Sequence, residues 1–195
     1  MSLAPAPHAV GVFPAYSQHR GEVALKIREK KISLTGDDFD ITDAANGAKI
    51  FHVDGKAFSL HGRKEISDAA GNHLFSLLKS HFHIHTTFHG KDPASDATIF
   101  TIKSSFSFGT KLTCSFHNPT TGRDEELVLK GDFFDRKAEI TYNDVPVARI
   151  GRKFFNAGQL LFDDQTYILT VAPGVDLALL AAFCICLDEK SNDQK

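Results

Sequence analysis

The stretch Pro173 to Leu187, PGVDLALLAAFCICL, constrains the fold more than any other because it predicts a helix that is apolar on every side. Pro173 and Gly174 break the preceding strand-like run, and Asp176 stands where an N-cap should. From Leu177 to Leu187 there is no charge, and the two cysteines are the nearest thing to a polar side chain. A surface helix would show a polar stripe. A membrane span needs roughly 20 apolar residues, whereas this run has 11 and ends in Asp188, Glu189 and Lys190. The helix therefore has to be buried within the protein, and the rest of the chain must supply a wall for each of its sides.

A chain of 195 residues with no Pro/Gly/Ser-rich linker in its middle fits one domain large enough to bury such an element. The expected organisation is an N-terminal arm over 1–20, a single domain over 21–190 and a tail over 191–195. Seventeen Phe against no Trp and one Met suggest an interior of bulky flat side chains on sheets. Lys and Arg number 22 against 24 Asp and Glu, a balance unlike that of a nucleic-acid binder, so an anionic partner would have to meet a local patch. Cys114, Cys184 and Cys186 cannot all pair, and the last two lie too close on a helix to bridge, which favours a reducing, cytoplasmic setting. The N-terminus lacks the basic-then-apolar pattern of a signal peptide, and neither terminus carries an acylation sequence.

Residues 1–20, rich in Pro and Ala, read as an arm either loose or laid across the surface of the domain. Beyond it the pattern is strand upon strand. Over Glu22 to Glu29, Val23, Leu25 and Ile27 alternate with Lys26 and Arg28. The unit Ile41-Thr-Asp-Ala-Ala-Asn-Gly47 followed by Phe51 recurs 25 residues later as Ile66-Ser-Asp-Ala-Ala-Gly71-Asn72 followed by Phe75, predicting two consecutive hairpins built to one plan. Ile140-Thr-Tyr-Asn-Asp144 and His117-Asn-Pro-Thr-Thr-Gly122 turn two more. Further strands are expected at Phe82–His89, Thr98–Ser105, Lys111–Phe116, Glu126–Gly131 and Gln165–Ala172, a meander of about a dozen. Closing that sheet around the apolar helix removes exposed strand edges and surrounds the helix with apolar wall. The fold class expected is thus mainly β, a closed twelve-stranded antiparallel barrel around a buried hydrophobic C-terminal α-helix.

Several motifs carry a resemblance. Ile50-Phe51-His-Val53-Asp54-Gly55-Lys56, the repeated Asp-Ala-Ala turn, Lys130-Gly131-Asp132-Phe133 with Ala138-Glu139-Ile140, and Val171-Ala-Pro-Gly-Val-Asp176 with Ala178-Leu179 resemble the LURP-one-related family over about residues 10 to 190. That family is similar in fold to the Tubby C-terminal domain and to phospholipid scramblases, and the resemblance implies the same helix-filled barrel. It implies little chemistry: LURP-one-related proteins have no settled biochemical activity, some are linked to plant defence, Tubby relatives bind phosphoinositides and scramblases act on bilayers. No motif here aligns with Tubby's basic lipid site, and the calcium-binding and palmitoylation features of scramblases are not evident.

Two constellations remain from the residues themselves. Lys26, Arg28 and Lys30 alternate on one strand face, Arg63 and Lys64 follow a glycine, and Arg149, Arg152 and Lys153 cluster further on. Brought together on the barrel exterior they would make a patch for anionic phospholipid headgroups, although charge on an outer face is ordinary. In Ser80-His81-Phe82-His83-Ile84-His85, a single strand would place His81, His83 and His85 on one face, a pattern able to hold zinc or copper. A third ligand cannot be assigned, and a solvated strand face is the plainer reading. Nucleophile elbow, phosphate loop and His-Glu-x-x-His motifs are all missing. The expectation is a non-enzymatic protein without cofactor or nucleic-acid partner, lying in the cytoplasm or peripherally at membranes and engaging anionic lipid or a protein. The alternative is a scaffold with no lipid affinity.

Overall fold

Alternating sequence becomes alternating burial. In β1 (Val23–Lys30) Leu25 and Ile27 are fully buried, while Lys26 is half-buried and Arg28 exposed. The strands that follow are β2 (Asp38–Asp43), β3 (Lys49–Gly55), β4 (Lys64–Asp68), β5 (His73–Phe82), β6 (His85–Lys91), β7 (Thr98–Ser107), β8 (Gly109–Asn118), β9 (Arg123–Asp132), β10 (Lys137–Tyr142), β11 (Val145–Gly151) and β12 (Thr166–Val171). The two-residue period is plain in β2, β3 and β4, whereas β12 is buried on both faces over Thr166–Leu169. This computed structural model describes residues 2–30, 38–55, 63–82, 85–107, 109–132, 137–151 and 166–192. Residues 29–30, 81–82, 85, 106–107, 109–110, 132, 137 and 191–192 are described by their backbone alone.

Each strand pairs antiparallel with its sequence neighbour, and β1 pairs with β12 (Val23 opposite Val171, Arg28 opposite Thr166), so the sheet closes into a twelve-stranded barrel. Its inward side chains, among them Phe39, Phe51, Ile66, Phe75, Phe100, Ile102, Leu112, Leu127 and Leu169, form one core with the helix α1 (Leu177–Asn192). Ala178 to Cys186 are at most 1% exposed, the burial that an all-apolar helix requires. The helix runs five residues past the apolar stretch, so positions 191 and 192, assigned above to a tail, continue it.

All the described connections between strands lie at the N-terminal end of α1. The two Asp-Ala-Ala repeats form the β2–β3 and β4–β5 hairpins: Asp43 and Asp68 each accept the amide two residues on, at 2.7 and 2.9 Å, and Gly47 and Gly71 take positive φ. Asp92 and Asn118 repeat that turn bond with Ala94 and Thr120.

One expected strand is corrected. Phe82–His89 is not continuous: β5 ends at Phe82 and β6 begins at His85, with Phe82 opposite His85 and His81 opposite Thr86. The arm is laid down rather than loose. Val10 bridges Val175, Ala6 donates to Pro173, and a 3-10 turn over Pro14–Ser17 brings Phe13 onto Phe75 and Tyr16 onto Phe51.

Candidate functional site

The two ends of α1 set the polar chemistry of the molecule. At its N-terminus the Asp176 carboxylate is fully buried. One oxygen accepts the amides of Ala178 (2.9 Å) and Leu179 (3.2 Å), and the other accepts Val12 (3.0 Å) and Phe13 (2.7 Å) from the arm. Burial raises its pKa to about 6 although all four amides pull the other way. The expected N-cap is thus also the clamp that holds the arm.

Beside that clamp the arm forms one side of an open groove of about 670 Å³ lined by His8, Thr121, Arg123, Asp124, Glu125, Glu126, Tyr142 and Asn143. Glu125 is its hub, accepting Asn118 Nδ2 at 2.8 Å and Thr121 Oγ1 at 2.7 Å and lying 3.2 Å from His8 Nε2. Burial alone would raise the Glu125 pKa, but the bonds from Asn118, Thr121 and His8 hold it below the ordinary value. Tyr142 Oη completes the set, 3.3 Å from His8 Nε2. Sequence reasoning missed this groove because His8 reaches it from an arm without periodicity, across more than a hundred residues.

At the other end of α1, Glu189 receives two lysines: Lys64 Nζ lies 2.8 Å from Oε1 and Lys79 Nζ 3.4 Å from Oε2. Lys64 is 5% exposed, with its ammonium 5.3 Å from the centre of the Phe39 ring. Its assignment to an exterior basic patch is therefore corrected. Lys64 shares the parity of buried Ile66 and faces the barrel interior.

Among the described residues the other expected cations are spread over β1 (Lys26 and Arg28), the residue before β4 (Arg63) and β11 (Arg149), with different partners. Lys26 and Arg28 are on the outer wall, but the register sets Arg28 opposite Asp40, whose carboxylate lies 3.3 Å from His52 Nδ1. Arg63 donates to Ser76 at 3.0 Å and has its Nε 3.9 Å from Glu65. Arg149, two strands from β1, is held by Glu139 at 3.3 Å. Lys30 is described by its backbone alone, at the end of β1, and Arg152 and Lys153 lie outside the described residues.

The histidine stripe loses its premise with the strand that carried it. His83 lies outside the described residues, and His81 and His85, described by backbone alone, fall on different strands at positions that do not oppose each other. Among the described residues no group of three or more His, Cys, Asp or Glu is placed to hold a metal ion. The cysteines are buried and unpaired, and burial pushes their thiols well above the usual range.

A second exterior group comes from the register of three strands. Lys111 of β8 stands directly opposite Lys130 of β9, and Ser105 of β7 opposes Lys111, which puts Lys103 on the diagonal. Each lysine is visible in its own strand, but only the pairing brings them together.

The helix-filled barrel and the motifs built into it agree with the comparisons to known proteins. The family model of LURP-one-related proteins matches residues 23–188. The chain belongs to the LURP-one-related family. It is 28% identical over 203 residues to Protein LURP-one-related 15 of Arabidopsis thaliana, covering all of this chain and 92% of that one. To Protein LURP1 of the same plant it is 26% identical, with 86% and 83% covered. A crystal structure of an Arabidopsis thaliana protein superposes with a TM-score of 0.64 at 24% identity, covering 94% of this chain and 99% of that one, a likeness of fold. No helix among the described residues is long and apolar enough to cross a membrane.

Proposed function

We propose that this LURP-one-related protein is a non-enzymatic binding domain, built over 21–190 with 1–20 as its arm, whose outer wall engages anionic membrane lipid. The observation that carries the reading is the filling of the lumen. With Ala178 to Cys186 at most 1% exposed, the barrel offers a ligand its walls and its mouths rather than an interior. Outward cations on several strands suit phosphate-bearing headgroups, and the Tubby-like architecture noted above favours the same class of ligand.

Co-sedimentation with phosphoinositide-containing vesicles tests it. The protein, of net charge −2, ignores phosphatidylcholine vesicles and binds anionic ones at low salt. Binding fades as the Debye length falls from about 10 Å at 0.1 M to about 3 Å at 1 M. No binding at low salt removes the lipid reading. The protein-partner reading has its own support in the arm-end groove around Glu125, which is large enough for a peptide side chain.

A further inference from the structure

The lysines of the outer wall are not equivalent. On the β1–β4 side Arg28 opposes Asp40, whose carboxylate lies 3.3 Å from His52 Nδ1, and Arg63 lies 3.9 Å from Glu65. On β10 and β11 Arg149 takes Glu139. The wall of β7, β8 and β9 differs. Lys111 and Lys130 are directly opposed, so their Cβ atoms are about 5 Å apart, and Lys103 is diagonal to Lys111 at about 7–8 Å.

The nearby carboxylates are turned elsewhere. Glu139 is the register partner of Lys130, yet its Oε2 lies 3.3 Å from Arg149 Nε. Glu126 accepts Ser115 Oγ at 2.9 Å. Among the described residues no ion pair joins a carboxylate to Lys103, Lys111 or Lys130; Ser105 opposite Lys111 and Thr113 opposite Lys103 are uncharged, and Glu139 opposite Lys130 has one oxygen on Arg149. Like charges directly opposed on a sheet repel, so this arrangement costs stability unless an anion meets it. The positive field reaches β6, where burial first, and then Lys91 and Lys103, lower the pKa of His89.

We propose that the exterior of β7–β9, through Lys103, Lys111 and Lys130, is the face this protein lays against an anionic bilayer, an inference that rests on the lipid reading above. The choice of a bilayer follows from shape and polarity. The three lysines do not line the groove around Glu125 and stand on an open wall, suited to a sheet of headgroups more than to a small ligand that needs enclosure. Lys111 and Lys130 sit two residues from the strand ends remote from the arm. At the arm end, Asp43, Asp68, Asp92, Asp96, Asp124 and Asp144 outnumber Lys49, Lys91 and Arg123. The described arm end thus carries more acid than base, and a negative surface attracts the lysine wall while repelling that end.

Vesicle co-sedimentation of the full chain decides it, using phosphatidylcholine vesicles with and without phosphatidylserine. Near such a surface each lysine is worth about fivefold in partitioning, so Lys103→Gln, Lys111→Gln and Lys130→Gln together lower binding about 100-fold, with an unchanged or slightly raised melting temperature. Lys26→Gln with Arg28→Gln lowers it less than threefold. If the native chain binds and the β1 pair abolishes binding while the triple variant keeps it, this face is wrong and the lipid reading stands. If the native chain binds no anionic vesicle at low salt, the lipid reading falls and this inference with it. If it binds inositol hexakisphosphate but no vesicle, the bilayer assignment is overturned.

Discussion

The two ends of α1 solve one problem by different means. A helix threaded through a barrel brings unsatisfied amides to one mouth and unsatisfied carbonyls to the other. At the N-terminal mouth a single carboxylate, Asp176, takes two helix amides and two arm amides, so backbone closes the barrel over its own cap. At the C-terminal mouth, among the described residues, the helix is tied by charged side chains, with Glu189 drawing in Lys64 and Lys79 from β4 and β5. The backbone clamp binds a remote segment into the core, whereas the Glu189 pairs add a few charge-assisted bonds to strands that already hold themselves. The first should therefore cost more to break.

The largest effect removes what both ends serve. Truncation at Gly174 empties the lumen, and Leu180→Asp puts a charge at a fully buried position; both should yield insoluble protein, since either loss exceeds much of the ~5–15 kcal/mol that holds a domain together. A soluble truncation with a cooperative melt would show the helix to be peripheral. Next, Asp176→Ala strips the acceptor from four amides and should lower unfolding free energy by about 3–4 kcal/mol, read from denaturant midpoints. Gly11→Ala should approach it from the arm side, because the added Cβ would stand 2.1 Å from Asp176 Cβ at φ +146°.

The same carboxylate gives a pH signature. A carboxyl whose pKa is about 6 folded, against 3.8 ordinarily, holds its proton more tightly in the native state. Its stabilising contribution is complete below pH 3.8 and lost as pH rises through 6. The stability margin of the native protein over Asp176→Asn should thus shrink between about pH 4 and pH 7, by up to about 3 kcal/mol. A margin that widens would contradict the burial cost assigned to Asp176. The smallest effect is at the other mouth: Glu189→Gln should cost about 1–3 kcal/mol, and Glu189→Leu with Lys64→Met should recover part of it. A loss as large as that of Asp176→Ala would erase the contrast between the ends.

What was legible in the sequence was local. The apolar helix, its Asp176 cap and the hairpin repeats each lie within a short run, and the aspartate turn bonds that shape those hairpins need no distant partner. Strand faces followed from the two-residue period, which also pairs Lys64 with Ile66; what hid its interior role was Glu189, supplied by a helix far along the chain. The histidine run read as one strand because His83 and Ile84, between β5 and β6, include no glycine, proline or asparagine to signal a turn. Lys103, Lys111 and Lys130 became neighbours only through the register of three strands, and the arm, lacking periodicity, shows its order through backbone bonds to Pro173, Gly174 and Asp176.

Native-state hydrogen exchange at single residues tests most directly whether arm and helix form one closed unit. Val12 and Phe13 from the arm share the Asp176 carboxylate with Ala178 and Leu179. If the clamp is as described, all four amides exchange only through global opening, with the same free energy as core amides such as Ile102 and Leu127. Exchange of Val12 and Phe13 at the rate of a frayed terminus, with Ala178 and Leu179 still protected, would show that the helix caps itself and that the arm merely rests on the barrel.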